Sequence, residues 1–104
     1  MASSKEYLDY VLDQLSLLDG ISYKVMMGEY IVYYQGKFVG GIYDDRFLVK
    51  AVPSAKRLMP DAQPELPYEG AKEMLLIENT DDREFLKELL TAMAEELPAP
   101  RRRH

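Results

Sequence analysis

Residues 21–50 read ISYKVMMGEYIVYYQGKFVGGIYDDRFLVK, and the rhythm of this stretch decides the fold class. ISYKVM, EYIVYY, KFVGGIY and RFLVKAV are short runs rich in β-branched and aromatic residues, the types that suit a pleated, half-buried surface. Turn-prone residues separate them near Gly28, at Gln35-Gly36 and at Asp44-Asp45. Parallel neighbours need a crossover of a dozen or more residues, so connections this short predict strands that pair antiparallel in sequence order. Gly40-Gly41 falls inside a run, where glycine marks a bulge or a surface kept clear for a ligand or partner.

Helical periods flank this block. On the N-terminal side, Ser3 followed by Glu6 has the spacing of a capping box, and Leu8, Val11, Leu12, Leu15 and Leu18 recur at helical intervals. This predicts an amphipathic helix closed by Gly20 as its C-cap. On the C-terminal side, PSAKRLMP predicts about two helical turns near residues 53–59, with proline at the start. DAQPELPYEGA reads as an ordered connector pinned by Leu66 and Tyr68, and EMLLIEN as a further strand. NTDDREFLKELLTAMAEEL has Asn79 or Thr80 as N-cap, Asp81-Asp82 at the positive end of the helix dipole, and a stripe through Phe85, Leu86, Leu89, Leu90, Met93 and Leu97. The expected fold is α+β in two layers: an antiparallel sheet of four or five strands, with two long helices and one short helix packed on it. Leu12, Leu15, Val32, Phe38, Leu48, Leu76, Phe85 and Leu89 are the expected core.

Composition narrows the function. A chain of 104 residues with 47% hydrophobic content suits one domain over residues 1–97, followed by a flexible basic tail over 98–104. The formal charge is −5, and setting aside Arg101, Arg102 and Arg103 leaves 10 basic against 18 acidic residues, or −8. A body so acidic repels phosphate backbones, so no direct nucleic-acid binding is expected of it. With no cysteine, disulfides and thiolate chemistry are excluded. The N-terminus lacks the apolar stretch of a signal peptide and no apolar run is long enough to span a bilayer, so a cytoplasmic, non-membrane protein is expected.

Catalytic patterns are scarce. His104, the only histidine, is the terminal residue, and neither a nucleophile elbow nor a phosphate-cradling glycine loop occurs. The acid pairs Asp44-Asp45, Asp81-Asp82 and Glu95-Glu96 read as a hairpin turn, helix N-terminal charge and a solvated helix face. The residues thus point away from an enzyme and call for no cofactor or metal. Met26-Met27 suits core filling first and an adaptable interface second. Among eight tyrosines, Tyr30 and Tyr34 share one strand face and Tyr33 the other.

The segment KVMMGEYIVYYQGKFVGGIYDDRFLVK resembles the N-terminal domain of the TfoX/Sxy family. That pattern has a basic residue, Met-Phe-Gly, an aromatic strand ending in Tyr, a turn with Gly, and a later hydrophobic strand ending in Lys. Lys24, Met26, Gly28, Tyr33, Gly36 and Lys50 stand in those places, with Met27 where phenylalanine is usual. The resemblance implies a two-layer α/β domain of bacterial origin. In some bacteria, full-length members regulate natural competence by helping the cyclic-AMP receptor protein at particular promoters, and they carry a second, C-terminal domain; the resemblance covers the first domain, and a stand-alone first domain is the expectation here. A non-enzymatic regulatory or adaptor domain that binds a protein partner is the resulting expectation, with a small-ligand sensor as the alternative and monomer or homodimer both open. The candidate binding surface comprises Lys24, Met26, Met27, Gly28, Tyr30, Tyr33, Tyr34 and Lys50.

Overall fold

A computed structural model describes residues 4–97. It contains α1 (Lys5–Gln14), β1 (Ile21–Met26), β2 (Glu29–Tyr34), β3 (Lys37–Tyr43), β4 (Arg46–Lys50), α2 (Pro53–Leu58), β5 (Pro64–Glu65), β6 (Met74–Leu76) and α3 (Arg83–Glu96). The α+β class, the antiparallel sheet and the three helices are as expected. The sheet has six strands in the order β1-β2-β3-β4-β6-β5. The additional strand, β5, lies inside the proline-rich connector and consists of two residues paired with β6. Its Pro64 has no N–H to offer, which suits the outer edge of a sheet. The basic tail of residues 98–104 lies outside the described residues.

Three successive hairpins build the first four strands. Each turn has two central residues with positive φ: Met27 and Gly28 at 54° and 84°, Gln35 and Gly36 at 53° and 80°, Asp44 and Asp45 at 54° and 57°. Positive φ at both positions defines the turn whose twist matches the right-handed twist of its strands. Glycine or aspartate accounts for four of these six positions. A bulge interrupts the second hairpin: Val32 pairs with Gly40 but Tyr33 pairs with Phe38, leaving Val39 as the extra residue. Both Val39 and Ile42 therefore face the helices, and both are fully buried there. Phe38 is turned to the opposite face and is 36% exposed, which removes it from the expected core.

The helices differ from expectation at their ends. Ser4, not Ser3, caps α1: its Oγ accepts from the Tyr7 N–H at 3.1 Å, and its own backbone N–H donates to Asp45 Oδ1 at 2.8 Å. Then α1 stops at Gln14, six residues before Gly20. Ser16 and Leu18 donate to carbonyls only three residues back, tightening the chain into turns that still bury Leu15 and Leu18. The Gly20 carbonyl instead accepts from the Gln35 N–H at 2.8 Å and so extends the β1–β2 ladder. For α3 the cap is Asp82, whose carboxylate accepts from the Phe85 N–H at 3.0 Å. Asn79 and Thr80 belong to the preceding turn, closed by the Asp82 N–H on the Asn79 carbonyl.

One face of the sheet carries the main core. Leu8, Val11 and Leu15 from the α1 side and Leu86, Leu89, Leu90 and Met93 of α3 pack on Val32, Val39, Ile42, Phe47 and Val49. Leu12 and Phe85 pack at its margin, half-buried. Polar contacts tie the layers together: Lys37 Nζ donates to the Ala94 carbonyl at 2.6 Å, and Glu96 Oε1 accepts from the Ser54 N–H at 3.0 Å. Glu96 therefore serves the start of α2, beyond its expected role on a solvated face. A second, smaller cluster of Tyr43, Leu48 and Met74, flanked by Ile31 and the half-buried Leu76, occupies the other face, which no helix among the described residues covers.

Candidate functional site

The uncovered face holds the structure's aromatic cleft. Cross-strand partners share a face, so Lys24 with Ile31, Met26 with Glu29, and Tyr33 with Phe38 all project there. Tyr43, Leu48, Lys50 and Met74 continue the surface across β3, β4 and β6. Two adjoining hollows of about 600 Å3 and about 400 Å3 share Phe38, Tyr43 and Tyr68. The Tyr33 and Phe38 ring centroids lie 6.2 Å apart, those of Tyr43 and Tyr68 6.3 Å apart, and Lys50 Nζ sits 5.0 Å from the centre of the Phe38 ring. These separations are those of aromatic pairs and of a cation over a ring.

Tyr68 reaches the cleft from the connector. Arg46 anchors that segment by an ion pair with Glu65 and a hydrogen bond to the Leu66 carbonyl. The residue that pins the connector is Pro67, which is buried, whereas Leu66 and Tyr68, expected to do so, are 48% and 65% exposed. An exposed tyrosine beside a buried one makes a wall with an apolar body and a polar tip.

Tyr43 forms the floor. It is buried, and Gly41 makes room for it, since a Cβ at Gly41 would lie 2.7 Å from Tyr43 Cε2. Burial pushes the Tyr43 phenol up to about 12 from its ordinary value of 10.0, aided by Tyr68, Glu29 and Tyr33. A raised phenol favours the neutral, folded form. Its stabilising contribution is complete below pH 10.0 and is lost as pH climbs toward about 12. Burial also raises the Tyr7 phenol, so alkaline titration followed by tyrosinate absorbance is expected to show late ionisation from Tyr43 and Tyr7, and Tyr43→Phe to remove the last step.

Several sequence expectations need correction at this site. Tyr30 and Tyr34 are not part of it: Tyr34 is buried in the main core, and Tyr30 packs against that core with its ring 6.0 Å from Tyr23. The alternation of β2 separates them from Tyr33, and the helices cover their side. Met26 and Met27 do not fill the core but stand 54% and 96% exposed at the rim. Gly28 only completes the turn. Lys24, Met26, Met27, Tyr33 and Lys50 remain. Phe38, Tyr43 and Tyr68 were missed; the Gly40-Gly41 pair was the available signal, because it marks the bulge that reverses the facing of Phe38 and the gap that admits Tyr43.

Met27 sits in a backbone region where a side chain costs roughly 1–2 kcal/mol, yet it makes the rim of the larger hollow. Asparagine tolerates this conformation. Met27→Asn is expected to raise stability by about 0.5–1 kcal/mol, read as a higher urea midpoint, because so exposed a side chain gives up little packing.

The larger hollow has methionine, isoleucine and aromatic walls and a single carboxylate, that of Glu29, which also accepts from the Asp44 N–H at 3.2 Å. Such a lining can stack on a flat or branched apolar group and offer phenol hydrogen bonds at its margin. Among the described residues, no group of three or more histidine, cysteine, aspartate or glutamate side chains is placed to hold a metal ion. No described helix is long and apolar enough to cross a membrane.

No model of a known protein family matches the chain, and no solved structure matches it. A protein of Spirochaeta aurantia, described as an uncharacterized 12.7 kDa protein in the trpE 5' region, is 30% identical over 104 residues, spanning 99% of this chain and 90% of the relative. At that identity and over that span, the chain belongs to the same family as the Spirochaeta aurantia protein.

Proposed function

We propose that the protein is a non-enzymatic regulatory or adaptor domain of TfoX-like type, working in the bacterial cytoplasm by binding a partner protein through the uncovered sheet face. The observation that carries this reading is a concentration of exposed apolar groups: Met26, Met27, Phe38 and Tyr68 are all exposed around one cleft. Methionine and aromatic side chains are enriched at protein interfaces, and an exposed apolar patch marks a contact surface. The acidic body, at −8 without the terminal arginines, supports a protein rather than a nucleic-acid partner.

Capture of partners from native lysate tests this, with Tyr33→Ser plus Phe38→Ser as the control, since both side chains project from the uncovered face. A transcription component retained by the unaltered protein and lost by the control is the expected result. Retention of the same set by both proteins would overturn the assignment of this face.

The enclosed part of the cleft favours a second reading, a small-ligand sensor. A hollow of about 600 Å3 is within the range of small-molecule sites. A ligand at 100 times its dissociation constant would stabilise the fold by ~2.7 kcal/mol, which thermal-shift screening detects. A flat response across aromatic and branched apolar metabolites would sink it.

A further inference from the structure

The two edges of the sheet are unlike. The β5 edge is two residues long and begins with proline, so it offers little to pair with. The β1 edge is six residues long, and Ser22 through Met26 are all exposed. Tyr23, Val25 and Met26 are 39%, 66% and 54% exposed, and the strand holds one charge, Lys24. Long, weakly charged edges of this kind present a ready template for another strand.

The ladder states which backbone groups are free to pair. In a two-residue hairpin the residues flanking the turn, Met26 and Glu29, exchange hydrogen bonds, and the pattern then alternates along the strand. The Gln35 N–H on the Gly20 carbonyl fits that alternation. The N–H and C=O groups of Ile21, Tyr23 and Val25 therefore point outward, away from β2.

We propose that a second copy of this chain pairs antiparallel with that edge about a two-fold axis at Tyr23, joining two sheets into one. A two-fold axis normal to the sheet keeps each face on its own side. Centred on Tyr23, it sets Tyr23 against Tyr23 of the other copy and Ile21 against Val25, and these are the residues whose backbone groups point outward. It also sets Lys24 against Ser22. Shifting the centre to Lys24 would oppose two lysines, which destabilises a cross-strand pair. The strand is thus self-complementary in one register and self-repelling in the next. On the helix-facing side, Ile21 and Val25 of one copy meet Val25 and Ile21 of the other, covering apolar groups that the helices leave open. This contact uses the β1 edge rather than the cleft, so it stands or falls separately from the adaptor reading.

Sedimentation of the unaltered protein from about 10 μM to about 1 mM covers the range for an interface of modest area. A concentration-dependent shift from monomer to dimer is expected; a monomer throughout overturns the proposal. The register is read by disulfide capture, since the chain has no cysteine of its own. Facing residues of a non-hydrogen-bonded pair have Cα atoms about 4.5 Å apart, within disulfide reach. An equal mixture of Ser22→Cys and Lys24→Cys proteins is expected to yield a mixed disulfide dimer, while Ser22→Cys alone stays unlinked. An axis at Lys24 would instead set Ser22 against Met26, so a mixed disulfide between Ser22→Cys and Met26→Cys proteins, both of which keep Lys24, would overturn the register. Val25→Pro removes one outward N–H and spares the ladder to β2. With its fold verified by circular dichroism it is expected to be monomeric, and a dimer that survives it would exclude pairing through this edge.

Discussion

Gly40→Ala is expected to cost more than about 3 kcal/mol, a large part of the roughly 5–15 kcal/mol that holds a domain together. Gly40 pairs with Val32 on one side and Val49 on the other, just beyond the bulge at Val39. A Cβ there would lie 2.1 Å from the Leu48 carbonyl oxygen and 2.8 Å from Val49 Cα. Both are backbone atoms of a central strand, so no side chain can swing aside. The strands must separate, and Val49 and its neighbours in the main core move with them. Urea denaturation with an unchanged slope and a much lower midpoint is the expected record. A loss below about 1 kcal/mol would mean that the β3–β4 spacing yields, contrary to the dense packing of protein interiors.

Phe47→Ala is expected to cost about 3–5 kcal/mol, and Phe38→Ala only about 1 kcal/mol. Phe47 is fully buried among the helix-facing residues, where truncation leaves a cavity. Phe38 is 36% exposed on the other face and gives up its contacts with Tyr33 and Lys50. The order of the two thermal midpoints tests the assignment of the faces directly. Similar losses would show that something covers Phe38. The partner capture described for Tyr33 and Phe38 depends on this result, because a control that unfolds reports nothing about binding.

The contrast between these two phenylalanines shows how far the sequence could be read. Leucines at helical spacing marked both long helices, and Gln35-Gly36 and Asp44-Asp45 marked turns, because these signals are local. Strand alternation also put Tyr33 opposite Tyr30 and Tyr34. It did not say which side the helices would cover, a property of packing rather than of β2. The bulge was harder still: Phe38 and Val39 exchange faces only because Val39 has no partner on β2. Likewise β5 exists through its pairing with β6, and a two-residue strand has no period of its own. The cleft joins elements far apart in sequence, so Tyr68, in a segment dominated by prolines and charges, gave no sign of lying against Tyr43.

The chain of two-residue turns also bears on how the protein reaches its fold. Each pairing from β1 to β4 joins neighbours in sequence, so little chain entropy is spent before contacts form, and single hairpins close in ~1–10 μs. The β4–β6 pairing has to wait for α2 and the connector to be drawn in, a longer and costlier closure. Assembly should therefore run from the N-terminal meander toward β6. In stopped-flow measurements, a substitution such as Val32→Ala would slow folding, while Leu75→Ala would chiefly speed unfolding.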